Sequence, residues 1–149
     1  MNTKTLLLLA VALMTTSLDA QQKATEIPRD TSFTVNNTAT KILKQYPQAR
    51  VVVPKLPHGV TAHESVVYGS DGNRKLHLDL FVPLTKSRAG YPGVILIHGG
   101  GWRSGYRQME WPMAQHLAAE GYVTATVEYR LSTEALYPVG VYDLKAAVR

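Results

Sequence analysis

The run Gly93-Val94-Ile95-Leu96-Ile97 ends directly on His98-Gly99-Gly100-Gly101-Trp102. A short, unbroken apolar run with β-branched residues is the pattern of a strand covered on both faces, because a strand with one wet face alternates apolar and polar residues. The run is therefore expected to be a central, parallel strand. Three consecutive glycines then remove every side chain from the backbone at the strand's carboxyl end, where ligands dock in open α/β sheets. A parallel sheet layered with helices accommodates both features.

The flanking sequence supports that layout. Pro112 stands at a first helical position, Met113 and Leu117 lie one turn apart with Ala114 and Ala118 beside them, and Gly121 closes the helix. Residues 122–128 then alternate Val123, Ala125 and Val127 with Thr124 and Thr126, the period of a strand. Strand, helix, strand is a βαβ crossover, right-handed by backbone chirality and tied to a parallel sheet. A further helix is expected to start near Pro138, with Val141, Leu144 and Val148 on one stripe. Upstream, residues 65–68 and the alternating set Leu76, Leu78, Leu80 and Val82 read as two strands around a turn at residues 69–73, stopped by Pro83. They are expected to form a hairpin at a sheet edge. A hairpin plus one crossover leaves such a sheet uncovered, and domains of this class reach about 200 to 250 residues. The chain is therefore expected to be the front part of a longer protein.

The amino-terminal end reads differently. Residues 1–4 are a short positive start, and residues 5–14 form an apolar run of signal-peptide length that is too short to span a bilayer. Residues 1–20 are expected to be a signal peptide, cut after Ala20 or after Ser17. That implies a secreted or periplasmic protein with no stable membrane insertion after cleavage. Residues 21–58 are polar, with one weak helical stretch at 40–46, and read as a leader or linker; Asn36-Asn37-Thr38 has the form of a glycosylation acceptor and is expected in a surface loop. Residues 59–149 hold the folded domain.

The absence of cysteine excludes disulfide scaffolds, thiolate zinc sites, iron–sulfur clusters and cysteine nucleophiles together. None of the five histidines belongs to a ligand-like pair, so no metal is expected. His58, His63, His77 and His116 read as ordinary imidazoles without a site role. The formal charge of +5 is spread along the chain rather than gathered into a run, which describes a solvated surface and not a nucleic-acid footprint.

The chemistry concentrates in the glycines. Backbone without side chains can aim N–H groups at a negative charge, including one that develops only in a transition state, such as the oxygen of a tetrahedral acyl intermediate. A phosphate cradle is the competing use, but the stretch fits neither G-x-x-x-x-G-K-[ST] nor G-x-G-x-x-G. A purely structural tight turn is the remaining alternative.

His98-Gly99-Gly100-Gly101-Trp102, Gly121-Tyr122-Val123, Glu128-Tyr129-Arg130-Leu131-Ser132, Tyr137-Pro138 and Asp143-Leu144-Lys145-Ala146-Ala147-Val148-Arg149 together resemble the amino-terminal half of α/β-hydrolases of the HGGGW esterase and lipase group. Within it, the chain looks most like secreted bacterial carbohydrate esterases of the acetylxylan or feruloyl type. The resemblance covers roughly residues 66–149 and implies an α/β-hydrolase fold, truncated, comprising the hairpin, the first crossover and the following helix. It implies that the Gly100 and Gly101 N–H groups form an oxyanion hole, that Gly99 permits the turn, that His98 braces the loop without acting as base, and that Trp102 packs the loop or lines the acyl pocket. It also suggests a salt bridge between Arg130 and Asp143. A small-molecule or polysaccharide ester would be the substrate, with no nucleic acid as partner and no cofactor.

The nucleophile is where the chain departs from the pattern. A G-x-S-x-G elbow needs Gly two places before the Ser, and Ser65, Ser70, Ser87, Ser104 and Ser132 all lack it. The nearest imitation, Gly101-Trp102-Arg103-Ser104-Gly105, has its Ser one place late. The nucleophile, acid and base are thus expected downstream of Arg149, in the chain order Ser, Asp or Glu, His, and these residues alone are expected to be inactive. The rival readings are a peptidase on the same fold and a non-catalytic, hydrolase-like binding protein.

Overall fold

The computed structural model describes residues 30–149. The expected signal peptide and the start of the leader lie outside the described residues. Helix α1 (Val35–Gln45) begins where the Thr34 hydroxyl accepts a hydrogen bond from the Asn37 amide at 3.1 Å, the usual device for satisfying an orphan N–H in a first helical turn. It is longer than the stretch expected at 40–46. It also carries Asn36-Asn37-Thr38 on its first turn, so that triplet is helical and not part of a loop.

Strands β1 (Val60–Asp71) and β2 (Arg74–Pro83) form the hairpin. The turn is tighter than expected: Gly72 and Asn73 alone join the strands, with Gly72 at φ +54°, the positive dihedral that two-residue hairpin loops demand. Strands β3 (Gly93–Ile97) and β4 (Val123–Val127) pair in parallel, and β2 pairs with β4 antiparallel, giving the order β1-β2-β4-β3. Helix α2 (Trp111–Ala119), entered through a 3-10 turn at Arg107–Glu110, links β3 to β4 with Pro112 in its first turn, and Gly121 follows its end at φ +94°. Helix α3 (Val139–Ala147) follows, with Pro138 at its N-cap and not inside it.

The expectation of a central β3 is corrected. Among the described residues it is an edge strand, and Val94, Ile95 and Leu96 are only half-buried. The apolar run correctly marks faces that helices cover, but it carries no information about which strands flank it.

Helices on opposite faces divide the core in two. On one, Phe81, buried beside Val60, packs against Ala114 and Ala118 of α2, and its ring meets Trp111 edge-on with centroids 6.1 Å apart; burying such a side chain contributes about 1.5–3 kcal/mol. On the other, Leu78, Ala125 and Val127 pack against Leu144 and Ala147 of α3. Val148, expected on the apolar stripe of α3, is exposed. The alternation in β4 likewise does not separate inside from outside, since Thr124 and Thr126 are fully buried. The Thr124 hydroxyl survives there by donating to the Ala114 carbonyl at 2.9 Å, as a buried polar group must.

A buried charge stands at the same helix-facing side. Asp79, with none of its surface exposed, accepts from Arg107 Nε at 2.8 Å, Trp111 Nε1 at 2.9 Å and the Ser65 amide at 2.7 Å. Arg107 also reaches Glu128 Oε2 at 2.9 Å. This network ties the hairpin, the 3-10 turn and the end of β4 together.

Candidate functional site

The loop after β3 is built from backbone up. Gly100 has φ +118° and Gly101 has φ +62°, conformations that glycine adopts freely and other residues rarely. Gly99 has no such φ, and a Cβ added to it would meet the Phe33 ring at an ordinary 3.5 Å. The assignment of the turn to Gly99 is therefore corrected: Gly100 and Gly101 make it. At Gly100 there is also no room, because a Cβ would lie 2.6 Å from the Ser104 carbonyl carbon and 3.0 Å from its Oγ.

The carbonyls of His98, Gly99, Gly100 and Trp102 are all occupied. The Tyr129 hydroxyl donates to the His98 carbonyl at 3.0 Å, and His98 Nδ1 donates to the Gly99 carbonyl at 2.8 Å; because a carbonyl only accepts, Nδ1 carries a proton. The Gly100 carbonyl accepts from the Arg103 and Ser104 amides, each at 3.1 Å, and from Ser104 Oγ at 3.2 Å. The Trp102 carbonyl accepts from the Ser132 amide at 2.7 Å. By contrast, neither the Gly100 nor the Gly101 N–H donates to any acceptor among the described residues. Two adjacent free donors at the carboxyl end of a parallel strand are an arrangement suited to an anionic oxygen.

Aromatic rings support the loop from beneath. His98 is buried and stacks on Tyr129 with centroids 4.7 Å apart and planes 16° apart. Burial pushes the Tyr129 phenol above its ordinary value, which keeps it a donor. Trp102, at φ +64°, meets Tyr129 edge-on at 5.2 Å, yet about half of it (49%) stays exposed. Trp102 borders a cavity of about 310 Å³ shared with Arg130, Ser132, Tyr137, Pro138 and Gly140. It thus both packs the loop and lines a cavity. A second, open apolar groove of about 810 Å³ lies between α1, residues 51–54 and α2, with Phe33 on its wall.

Arg130 and Asp143 form the ion pair suggested by the sequence. Arg130 Nε and Nη2 engage the two carboxylate oxygens at 2.9 and 2.7 Å, and the Arg130 amide adds a third hydrogen bond at 3.0 Å. Burial raises the Asp143 carboxyl, but the Arg130 hydrogen bonds and charge outweigh it and hold the group below its ordinary value. Arg130 also pairs with Asp71 of the hairpin. Its place is structural: it locks the end of β4 to α3 alongside the cavity. His77, read as an ordinary imidazole, contacts Glu128 Oε1 through Nδ1 at 3.0 Å.

Four contributors escaped the sequence reading. Ser104 entered it only as a failed elbow. Gly105, at φ +95°, leaves the gap through which His98 reaches the Gly99 carbonyl, since a Cβ there would lie 2.5 Å from His98 Nδ1. Asp79 and Arg107 are placed together only by the fold. The Gly following Ser104 was the available signal, because a fourth glycine so soon after three points to one continuous tight loop.

Known proteins share the fold that carries this loop. The solved structure of esterase B from Lactobacillus rhamnosis, inhibited by a tributyrin phosphonate, is similar with a TM-score of 0.57 and 29% identity, over 76% of this chain and 35% of that one. The fold is that of an α/β-hydrolase. A bacterial heroin esterase is similar over 81% of this chain and 38% of its own, with a TM-score of 0.54 and 28% identity. Residues 78–149 match the BD-FAE family model. Among curated proteins, carboxylesterase NlhH from Mycobacterium tuberculosis is 33% identical over 87 residues, which are 58% of this chain and 27% of the relative. The chain thus spans about a quarter of that carboxylesterase (27%) and about a third of esterase B (35%). The α/β-hydrolase resemblance is of the esterase kind in each of these.

Proposed function

We propose that residues 59–149 carry the oxyanion-binding part of an exported serine carboxylic ester hydrolase whose nucleophile, acid and base lie outside residues 1–149. The observation that carries this reading is the pair of undonated amides at Gly100 and Gly101, each preceded by a carbonyl held by another group. In the reaction, a serine hydroxyl attacks the ester carbonyl while a histidine takes its proton. The carbonyl oxygen becomes an anion, and the two N–H groups stabilise it more than they stabilise the neutral ester. Collapse expels the alcohol, and a water activated by the same histidine releases the acid. No metal or organic cofactor takes part in these steps.

The resemblance to carbohydrate esterases supports esters of sugars as the substrate class, and residues 1–20 support export. The test is to assay the full-length protein against a short aryl ester, acetylated xylan and a peptide amide. Ester hydrolysis without amide hydrolysis is the expected result, with acetate released from xylan if the sugar-ester reading is right. Peptide cleavage, or no turnover of any ester, overturns it.

A further inference from the structure

The direction of each free amide is set by what lies behind it. A trans peptide unit is planar, with its C=O and the following N–H directed oppositely, and the one cis peptide among the described residues is Tyr137–Pro138. The orientation of each glycine amide is therefore set by whatever holds the carbonyl one residue earlier. For the Gly101 N–H, that carbonyl is the Gly100 one, which takes three hydrogen bonds, two of them from Ser104. Ser104 is 2% exposed, and its carbonyl and hydroxyl fill the space where a Gly100 side chain would stand. The loop is closed at both ends of this contact: Gly100 has no side chain to expel Ser104, and Ser104 has no freedom to release Gly100.

We infer that Ser104 is the positioning residue of the oxyanion hole, holding the Gly100–Gly101 peptide plane so that the Gly101 N–H faces the reacting oxygen. His98 does the corresponding work for the Gly99–Gly100 plane through the Gly99 carbonyl. The serine that fails as a nucleophile thus serves the reaction from the far side of the loop, touching neither substrate nor reacting atoms. This rests on the ester-hydrolase reading for its effect on rate, but not for its effect on the amide.

Two readouts on the full-length protein test it. The first needs no activity: the backbone N–H order parameter of Gly101, measured by NMR in the parent protein, Ser104→Ala and Ser104→Cys. Both variants are expected to lower it while amides of β2 and β4 stay unchanged, and Ser104→Cys keeps nearly the parent volume while donating only weakly, should Ser104→Ala not fold. The second is the kinetic split for an aryl ester, where loss of one donor on the Gly100 carbonyl is expected to lower kcat about 3- to 10-fold with KM nearly constant. An unchanged Gly101 order parameter in a folded variant overturns the inference, as does a change in KM alone. If the parent protein hydrolyses no ester, the functional reading falls while the amide measurement still decides the role of Ser104.

Discussion

Replacing each loop glycine by alanine separates conformational strain from lack of space. At Gly101 a Cβ would enter open space and φ is +62°, so the cost of G101A is the left-handed conformation alone, about 1 kcal/mol. At Gly100 the φ of +118° lies where non-glycine residues are strained, and the new Cβ also strikes the Ser104 backbone. Strain and overpacking contribute about 1–3 kcal/mol each, so G100A is expected to lose about 2–6 kcal/mol. Against a total stability of about 5–15 kcal/mol for a typical protein, that is a large share. Urea unfolding of the two variants beside the parent, with the m-value checked for constancy, measures the difference. G101A keeps both amides and Ser104 in place, so it should also keep more activity than G100A. Equal losses in the two variants, or a greater loss in G101A, would refute the account of the loop.

Two further outcomes follow from the charged groups. Arg107→Met strands Asp79, whose surface is wholly buried and whose strongest cationic partner is Arg107 at 2.8 Å; breaking a buried pair in this way costs about 3–5 kcal/mol, and a denaturation midpoint within error of the parent would contradict it. Asp143 is held below its ordinary carboxylate value of 3.8 in the folded chain, so its stabilising effect is present above that value and fades as pH falls through the lower, folded pKa. Asp143→Asn should therefore weaken the protein near neutrality and flatten the acid limb of a stability–pH profile. A parallel acid limb in the variant would show that the Arg130–Asp143 pair is not what titrates.

Much of the fold was legible because it rests on local periodicity and on residues with restricted backbone freedom. Pro112 and Gly121 mark the ends of α2, Pro83 stops β2, and the apolar run at Gly93–Ile97 is a strand. Where the reading failed, a distant element was responsible. Thr124 and Thr126 look like the wet side of a strand, but α2 and the Asp79 network cover them. β3 reads as central, yet strand order depends on which chain segments pair, and no single strand records its neighbours. The candidate site divides similarly. His98, Gly100 and Gly101 stood out in the sequence, whereas Ser104, Gly105 and Tyr129 act through hydrogen bonds and clearances that exist only once the loop has closed.

The residues by themselves determined that a glycine-stripped backbone follows a strand, because composition and period act over a few neighbouring positions. Tertiary structure alone decided where the amides at positions 100 and 101 point. Their direction is fixed by what grips the carbonyls behind them: His98 at one end, Ser104 at the other. A peptide plane has no preferred orientation until something in the folded chain takes hold of it.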